Sequence, residues 1–382
     1  MKARPLYFDY NATTPMDPLV LEAMLPWFVE NFGNAASRTH SYGWDAAHAV
    51  SSARSKVAKL LDVSARTIIF TSGATEAVNL AIKGVYQIYK NKGNQIITTK
   101  SEHKAVLDTC ESLKRFGAEI IYLDVDADGL IDLVQLENAI TERTILVSIM
   151  WANNETGVIQ PIEGIAVICQ EKEVLFMSDA TQAIGKIAVH PIDKGVHILC
   201  MSAHKMYGPK GVGAIYFSEK NPRVALRSQI DGGGHERGFR SGTLNVPGIV
   251  GLGKAAELAA SNMNTERHRH KEWQNTFEKH LRATFPEIQI AGAQVSRLPH
   301  VSNLQIPGIP SATWFSKLSD RLAFSTGSAC SSALAEPSHV LEAMGYTKTE
   351  AEEAVRLSWG RFTKEEEMMN LFESISEGLL SQ

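Results

Sequence analysis

The sequence predicts an α/β protein, a mostly parallel sheet covered by helices on both faces with a smaller α+β unit behind it, and three observations lead there. Between positions 68 and 217 short β-branched runs alternate with helical patterns. Each apolar run ends in a polar cluster, which is where ligands collect on parallel sheets. After Gly242 the pattern changes to one long helical stretch and then to short mixed elements. The chain has 382 residues, and at roughly 150 residues per domain this allows two or three domains. With 44% hydrophobic and 21% charged residues, disorder and fibrous classes are excluded. A formal charge of −4 lacks the basic excess that nucleic-acid binding needs. The start, MKARPLYFDYNATTP, has no apolar run of signal-peptide length, and the longest such run, 145–152, is broken by Ser148. No membrane span and a cytoplasmic location are expected.

In chain order, IIFT at 68–71 is a strand and ATEAVNLAIKGVYQIY at 74–89 a helix. IITT is followed by AVLDTCESLKRF, EIIYLDV by LVQLENAI, and TILVSIM by IEGIAVICQEKE; VLFMSDA and ILCMS are further buried strands. The stretch 249–285 reads as a long helix whose charged patch ERHRHKEW solvates its outer face. Beyond it come IQIAGA, HVSNLQI, a helix near Trp314, LAFSTGSACSS, a helix at HVLEAMG, the strand AVRLSWG and a final helix EEEMMNLFESISEGLL.

Three strand ends carry chemistry. Ser72-Gly73-Ala74-Thr75-Glu76 joins a strand to a helix, and free N–H groups at a helix start cradle phosphate; an ordinary Ser/Thr N-cap explains these residues equally well. Asp179 ends a buried strand, with Gln182 three residues on. It either caps the next helix or holds a pyridine nitrogen protonated in an electron-sink cofactor. Lys205 ends the apolar strand at 198–202 ahead of the glycine-rich MYGPKGVGAIYFS. An amine there is costly unless paired, neutral or converted to an imine.

Phosphate cradle, aspartate strand and lysine strand, in that order, resemble the pyridoxal-phosphate enzymes of the class V aminotransferase group. SGATE, SEHKAVLDTC, NNETG, SDATQ, SAHKMYGPKG, GGGHERGFRSGT and GSACSS are similar to cysteine desulfurases of the NifS/IscS type, and the likeness runs from DYNATTP to RLSWGRFT. The resemblance implies fold type I with a seven-stranded sheet. It also implies a large domain at 15–255 and a small one formed by 1–14 and 256–382.

By the same resemblance, Lys205 carries pyridoxal 5′-phosphate and acts as general base and acid, with Ser202, Ala203 and His204 beside it. Ala74 and Thr75 hold the phosphate, Asp179 pairs with the pyridinium nitrogen and Gln182 donates to the ring oxygen. His103 stacks on the ring and shuttles protons. Asn154 contacts cofactor and substrate, and Arg356 takes the substrate carboxylate, a task suited to a guanidinium's parallel donors. Thr243 reaches the neighbouring subunit's phosphate, which implies a homodimer.

Cys330 lies among small polar residues and Gly, a composition that predicts an exposed, mobile loop at about 325–337. Cys110, Cys169 and Cys200 sit in apolar or amphipathic runs and read as buried thiols. The resemblance makes Cys330 the nucleophile that takes sulfur from L-cysteine as a persulfide and passes it to an acceptor protein, with an iron–sulfur scaffold as the expected acceptor. No resident metal is implied; Cys330 could ligate an iron–sulfur cluster only transiently. The sequence departs from the family at 311–315, where SATWF replaces the usual helix start, and it stops at Gln382, sooner than housekeeping members whose tail docks the scaffold. A class V transaminase or selenocysteine lyase would use the same pocket without an obligatory persulfide.

Overall fold

The computed structural model describes residues 4–326 and 337–380, so Cys330 lies outside the described residues. The strands in chain order are β1 (Leu6–Tyr7), β2 (Ile68–Thr71), β3 (Gln95–Thr99), β4 (Glu119–Leu123), β5 (Thr144–Ser148), β6 (Leu175–Asp179), β7 (Ile198–Ser202), β8 (Gly213–Phe217), β9 (Gln289–Ile290), β10 (Val301–Gln305), β11 (Leu322–Ala323) and β12 (Ala354–Ser358). Seven form the central sheet in the order β2-β8-β7-β6-β5-β3-β4. Neighbours from β7 to β4 are parallel, whereas β8 runs antiparallel to both β7 and β2. β2, β3, β5, β6 and β7 therefore all end at the same edge of the sheet. Chain order reverses beside β3, because β4 lies on one side of it and β5 on the other, which opens a crevice at these strand ends.

Burial follows from composition. β2, β3, β5, β6, β7 and β8 are buried along their whole length, as expected for a sheet covered on both faces. On one face Ile69, Ile96, Leu146, Met177 and Ile198 pack with Val78, Ile82 and Val85 of the helix Ala74–Tyr89 and with Cys110 of the helix Lys104–Lys114. On the other, Phe70, Ile97, Val147, Phe176 and Leu199 pack with the helices Ser41–Leu61, Ile162–Glu171 and Val246–Thr284. The long helix passes Ser41–Leu61 closely at Gly253, where a Cβ would come within 2.6 Å of Ala53 Cα.

A third core joins Phe8, Phe277, Leu281, Leu304, Trp314, Leu357, Trp359 and Ile375. Its sheet has the order β12-β10-β9. The first residues are woven into it: β1 pairs in parallel with β11, and Asp9 bridges to Ser358. The residues that follow, Asn11 and Ala12, reach the crevice.

Candidate active site

One cavity of about 460 Å³ lies at the crevice. Its wall includes Ala74, Thr75, His103, Asn154, Asp179, Gln182, Ser202, His204, Lys205 and Arg356, which the sequence had placed on separate segments. The topology explains the convergence: 72–75 follow β2, His103 follows β3, Asn154 follows β5, Asp179 closes β6, and Ser202 to Lys205 follow β7. Ala203 is fully buried just behind the wall, its N–H bonded to Val212 O. Thr243 is exposed and does not line this cavity.

Lys205 stands in a short 3-10 turn at the end of β7. Its Nζ donates to the main-chain oxygens of Asn11 and of Ala12, the latter at 2.8 Å. Gln182 Nε2 also donates to Asn11 O, at 3.0 Å, so in this structure it is held by the N-terminal segment. Neither Asn11 nor Ala12 was singled out by sequence, although both lie in the DYNATTP motif. His204 Nδ1 is 3.1 Å from Thr13 Oγ1, and burial first, then Lys205 and Lys210, push its pKa down to about 4. It is neutral near pH 7.

Asp179 is largely buried, and its Oδ1 accepts the Thr181 N–H at 3.0 Å and the Thr181 hydroxyl at 2.5 Å. The simpler reading had it capping the next helix; a turn, not a helix, follows β6, and Asp179 holds that turn and lines the cavity as well. His103 likewise has two roles: Nδ1 accepts from Ala105 N–H at 3.1 Å, capping the helix, while the ring lines the cavity. Beside it Glu102 is fully buried, and Oε1 accepts Met150 N–H at 2.5 Å. Burial foremost, then the Asp179 charge, hold the Glu102 carboxyl well above the usual range, which favours its neutral form.

β12 is an edge strand, yet Arg356 is buried. Its Nη1 donates to Asn154 O at 3.0 Å and its Nη2 to Asp9 Oδ1 at 2.7 Å. Asn11 Nδ2 donates to the same Asn154 oxygen at 3.0 Å.

The helix Ala74–Tyr89 has Gly73 as N-cap, with no side-chain hydrogen bond to its first N–H groups. β8 presses on this turn: a Cβ on Gly213 would lie 2.7 Å from Gly73 Cα. Glu76 stands in the first turn, and Arg240 Nε meets its Oε1 at 2.8 Å while Ser72 N–H meets Oε2 at 2.9 Å. Burial raises the Glu76 pKa, but these donors outweigh it and leave the carboxyl below its ordinary value.

Cys110, Cys169 and Cys200 are buried. Burial pushes Cys110 and Cys169 up to about 12 and Cys200 well above its usual value. None of the three forms a thiolate at neutral pH.

The family model described as aminotransferase class-V matches residues 6–371. The chain belongs to the class-V aminotransferase family. Within it the chain groups with IscS- and NifS-type proteins. It is 50% identical over 373 residues to "Cysteine desulfurase IscS" of Anaeromyxobacter sp. (strain Fw109-5), covering 98% of this chain and 92% of that one. It is 49% identical to the protein of the same name from Rickettsia massiliae (strain Mtu5), covering 95% and 88%. A solved "NIFS-LIKE PROTEIN" superposes with a TM-score of 0.92 at 38% identity over 99% of this chain and 100% of that one. "SspA in complex with cysteine" does so at 0.83 and 35%, over 94% and 100%.

The class-V cofactor is pyridoxal 5′-phosphate, and the residues present fit it. The cavity offers an amine at one strand end, a carboxylate at the next, and a helix start whose glycine N-cap leaves room for an anion. Among the described residues no helix is long and apolar enough to cross a membrane.

Proposed function

We propose that this protein is a pyridoxal-phosphate-dependent cysteine desulfurase that converts L-cysteine to L-alanine and holds the sulfur as a persulfide on Cys330 for a protein acceptor. The observation that carries the reading is the meeting of Lys205, Asp179, His103 and Arg356 on one cavity in a chain half identical to IscS-type relatives.

Lys205 would be the covalent anchor of the cofactor and would serve as the base at the substrate Cα. Asp179 would hold a proton on the ring nitrogen, and Gln182 would donate to the ring oxygen. The N–H groups of Ala74 and Thr75 would bind the phosphate with Ser202 and His204, while Ala203, its N–H already taken by Val212 O, backs this wall; the neutral His204 would do so as a hydrogen-bonding group without charge. When bound, the cofactor supplies an electron sink that makes the Cα proton acidic and loosens the Cβ–S bond. His103, on the cavity wall, would stack on the ring and move a proton at the substrate sulfur. Asn154 and Arg356 orient the substrate carboxylate.

The sulfur step balances without an added oxidant. The Cys330 thiolate forms an S–S bond with the substrate sulfur as the Cβ–S bond breaks, and L-alanine leaves with the protons. Three of the four cysteines are buried with raised pKa values, which leaves Cys330 as the candidate nucleophile. The reading extends to a cytoplasmic homodimer in which Thr243 reaches the partner's phosphate, a division into 15–255 and the remainder, and delivery of sulfur to iron–sulfur assembly.

Mass spectrometry after incubation with L-cysteine and no reductant tests the reading. The peptide holding Cys330 gains ~32 Da, one sulfur, and alanine appears; Cys330→Ala abolishes both. Alanine formation that survives Cys330→Ala would instead indicate a lyase without persulfide.

A further inference from the structure

We propose that Asp9 is a positioning residue that sets the charge preference at the amino-acid end of the cavity, favouring ligands with one carboxylate over dicarboxylates. The proposal rests on the reading of Arg356 as the carboxylate contact and deepens it. Arg356 lines the cavity while Asp9 does not. Asp9 stands behind the guanidinium, its Oδ1 2.7 Å from Nη2, with the two side chains 17% and 3% exposed. The backbone fixes this arrangement. Asp9 bridges to Ser358, two residues beyond Arg356 on β12, and Asn11 N–H donates to Ser358 Oγ at 2.9 Å. Asn154 O, held by Asn11 Nδ2, takes the other guanidinium nitrogen at 3.0 Å.

The guanidinium is thus oriented before any ligand arrives, so less ordering is required on binding. Its charge is also already balanced by a carboxylate in a poorly solvated place, where Coulomb interactions are strong. A ligand's first carboxylate still gains the directed hydrogen bonds. A second carboxylate finds no surplus positive charge at Arg356 and meets the field of Asp9.

Titration of the cofactor-loaded protein with L-alanine and L-aspartate, followed by the cofactor's visible absorption, tests this without turnover. Wild type is expected to bind L-alanine at least about tenfold more tightly than L-aspartate. Asp9→Asn keeps the shape, removes the charge and narrows that gap by about fivefold or more; Asp9→Glu retains it. Equal or tighter binding of L-aspartate by wild type overturns the proposal, whether or not the variants fold. So does an unchanged ratio in a loaded Asp9→Asn protein. If L-alanine leaves the wild-type spectrum unmoved, the reading of Arg356 falls too; if L-alanine binds and only the ratio fails, Asp9 alone is misassigned.

Discussion

Glu102 shows how a single buried side chain can matter beside a cavity. Its Oε1 satisfies Met150 N–H, and burial favours the protonated carboxyl. Glu102→Gln preserves an acceptor for that N–H, whereas Glu102→Ala orphans it at a cost of ~1–3 kcal/mol. A carboxyl raised in the folded state loses relative stability as pH climbs above its unfolded value. Urea unfolding is therefore expected to show Glu102→Gln gaining on wild type between pH 5 and 8, and Glu102→Ala below both. For Arg356, replacement by Lys keeps the charge but loses the planar fork that meets Asp9 and Asn154. KM for L-cysteine is expected to rise roughly ten- to a hundredfold, as the loss of a charged hydrogen bond of ~1.5–3 kcal/mol implies, with kcat falling less; steady-state kinetics decide. The gathering of Lys205 and Asp179 at the cavity was legible because each closes its own strand in a compact motif, and that of His103 came from the family resemblance. Asn11, Asp9 and Glu102 were not, because their roles depend on partners such as Arg356, 347 positions away from Asp9, and no local pattern encodes that.

At the level of elements, two contacts hold the sheet face under the helix Ser41–Leu61 and the glycine-rich segment in place. Arg54 meets Glu236 through two bonds, at 2.7 and 2.6 Å, and Glu236 Oε2 also accepts Phe70 N–H at 2.8 Å. This ties the segment after GGGH to β2. Glu236→Ala removes the only carboxylate that the Arg54 guanidinium meets among the described residues, leaving it the Ile68 oxygen, and orphans Phe70 N–H, and a loss of ~3–5 kcal/mol is expected in chemical denaturation. Gly253→Ala places a methyl against the Ala53 backbone and is expected to cost ~1–3 kcal/mol by overpacking, seen as a lower Tm. The alternating strands and helices were readable because β-branched runs and amphipathic helices have different periods. The reversal of β8 was passed over. The connection from Ser202 to Gly213 is too short for a parallel crossover, which takes a dozen residues or more, so the direction was implicit in its length. β1, at two residues, has too few side chains to show any period.

Across the whole molecule, buried histidines govern the acid limit. His197 and His204 are pushed down to about 4 and His270 to about 3, burial leading in each, and His300 lies well below its ordinary value. His197 Nδ1 accepts Phe176 N–H at 2.9 Å and so must stay unprotonated there. A depressed histidine means the unfolded chain binds more protons between about pH 4 and 6.5, so stability falls as pH drops through that window. The Tm of the cofactor-free protein at matched ionic strength is expected to fall by several degrees from pH 7 to 5, and less so in His197→Gln; a flat profile would contradict this. The class of fold was legible because its alternation spans much of the chain, whereas the joining of residues 1–14 to the C-terminal unit came only from the family resemblance, since no local pattern links Phe8 to the opposite terminus.

The helix Val246–Thr284 enters two cores, with Val246 to Ala259 in one and Phe277 and Leu281 in the other. A truncated product ending near residue 260 would retain the amine, the aspartate and the histidine, yet would leave half a strut bare and the first strand without β11. Neither fragment of such a split is expected to survive expression separately; supplied together, they have a chance of reassembling only if the cut falls outside that rod.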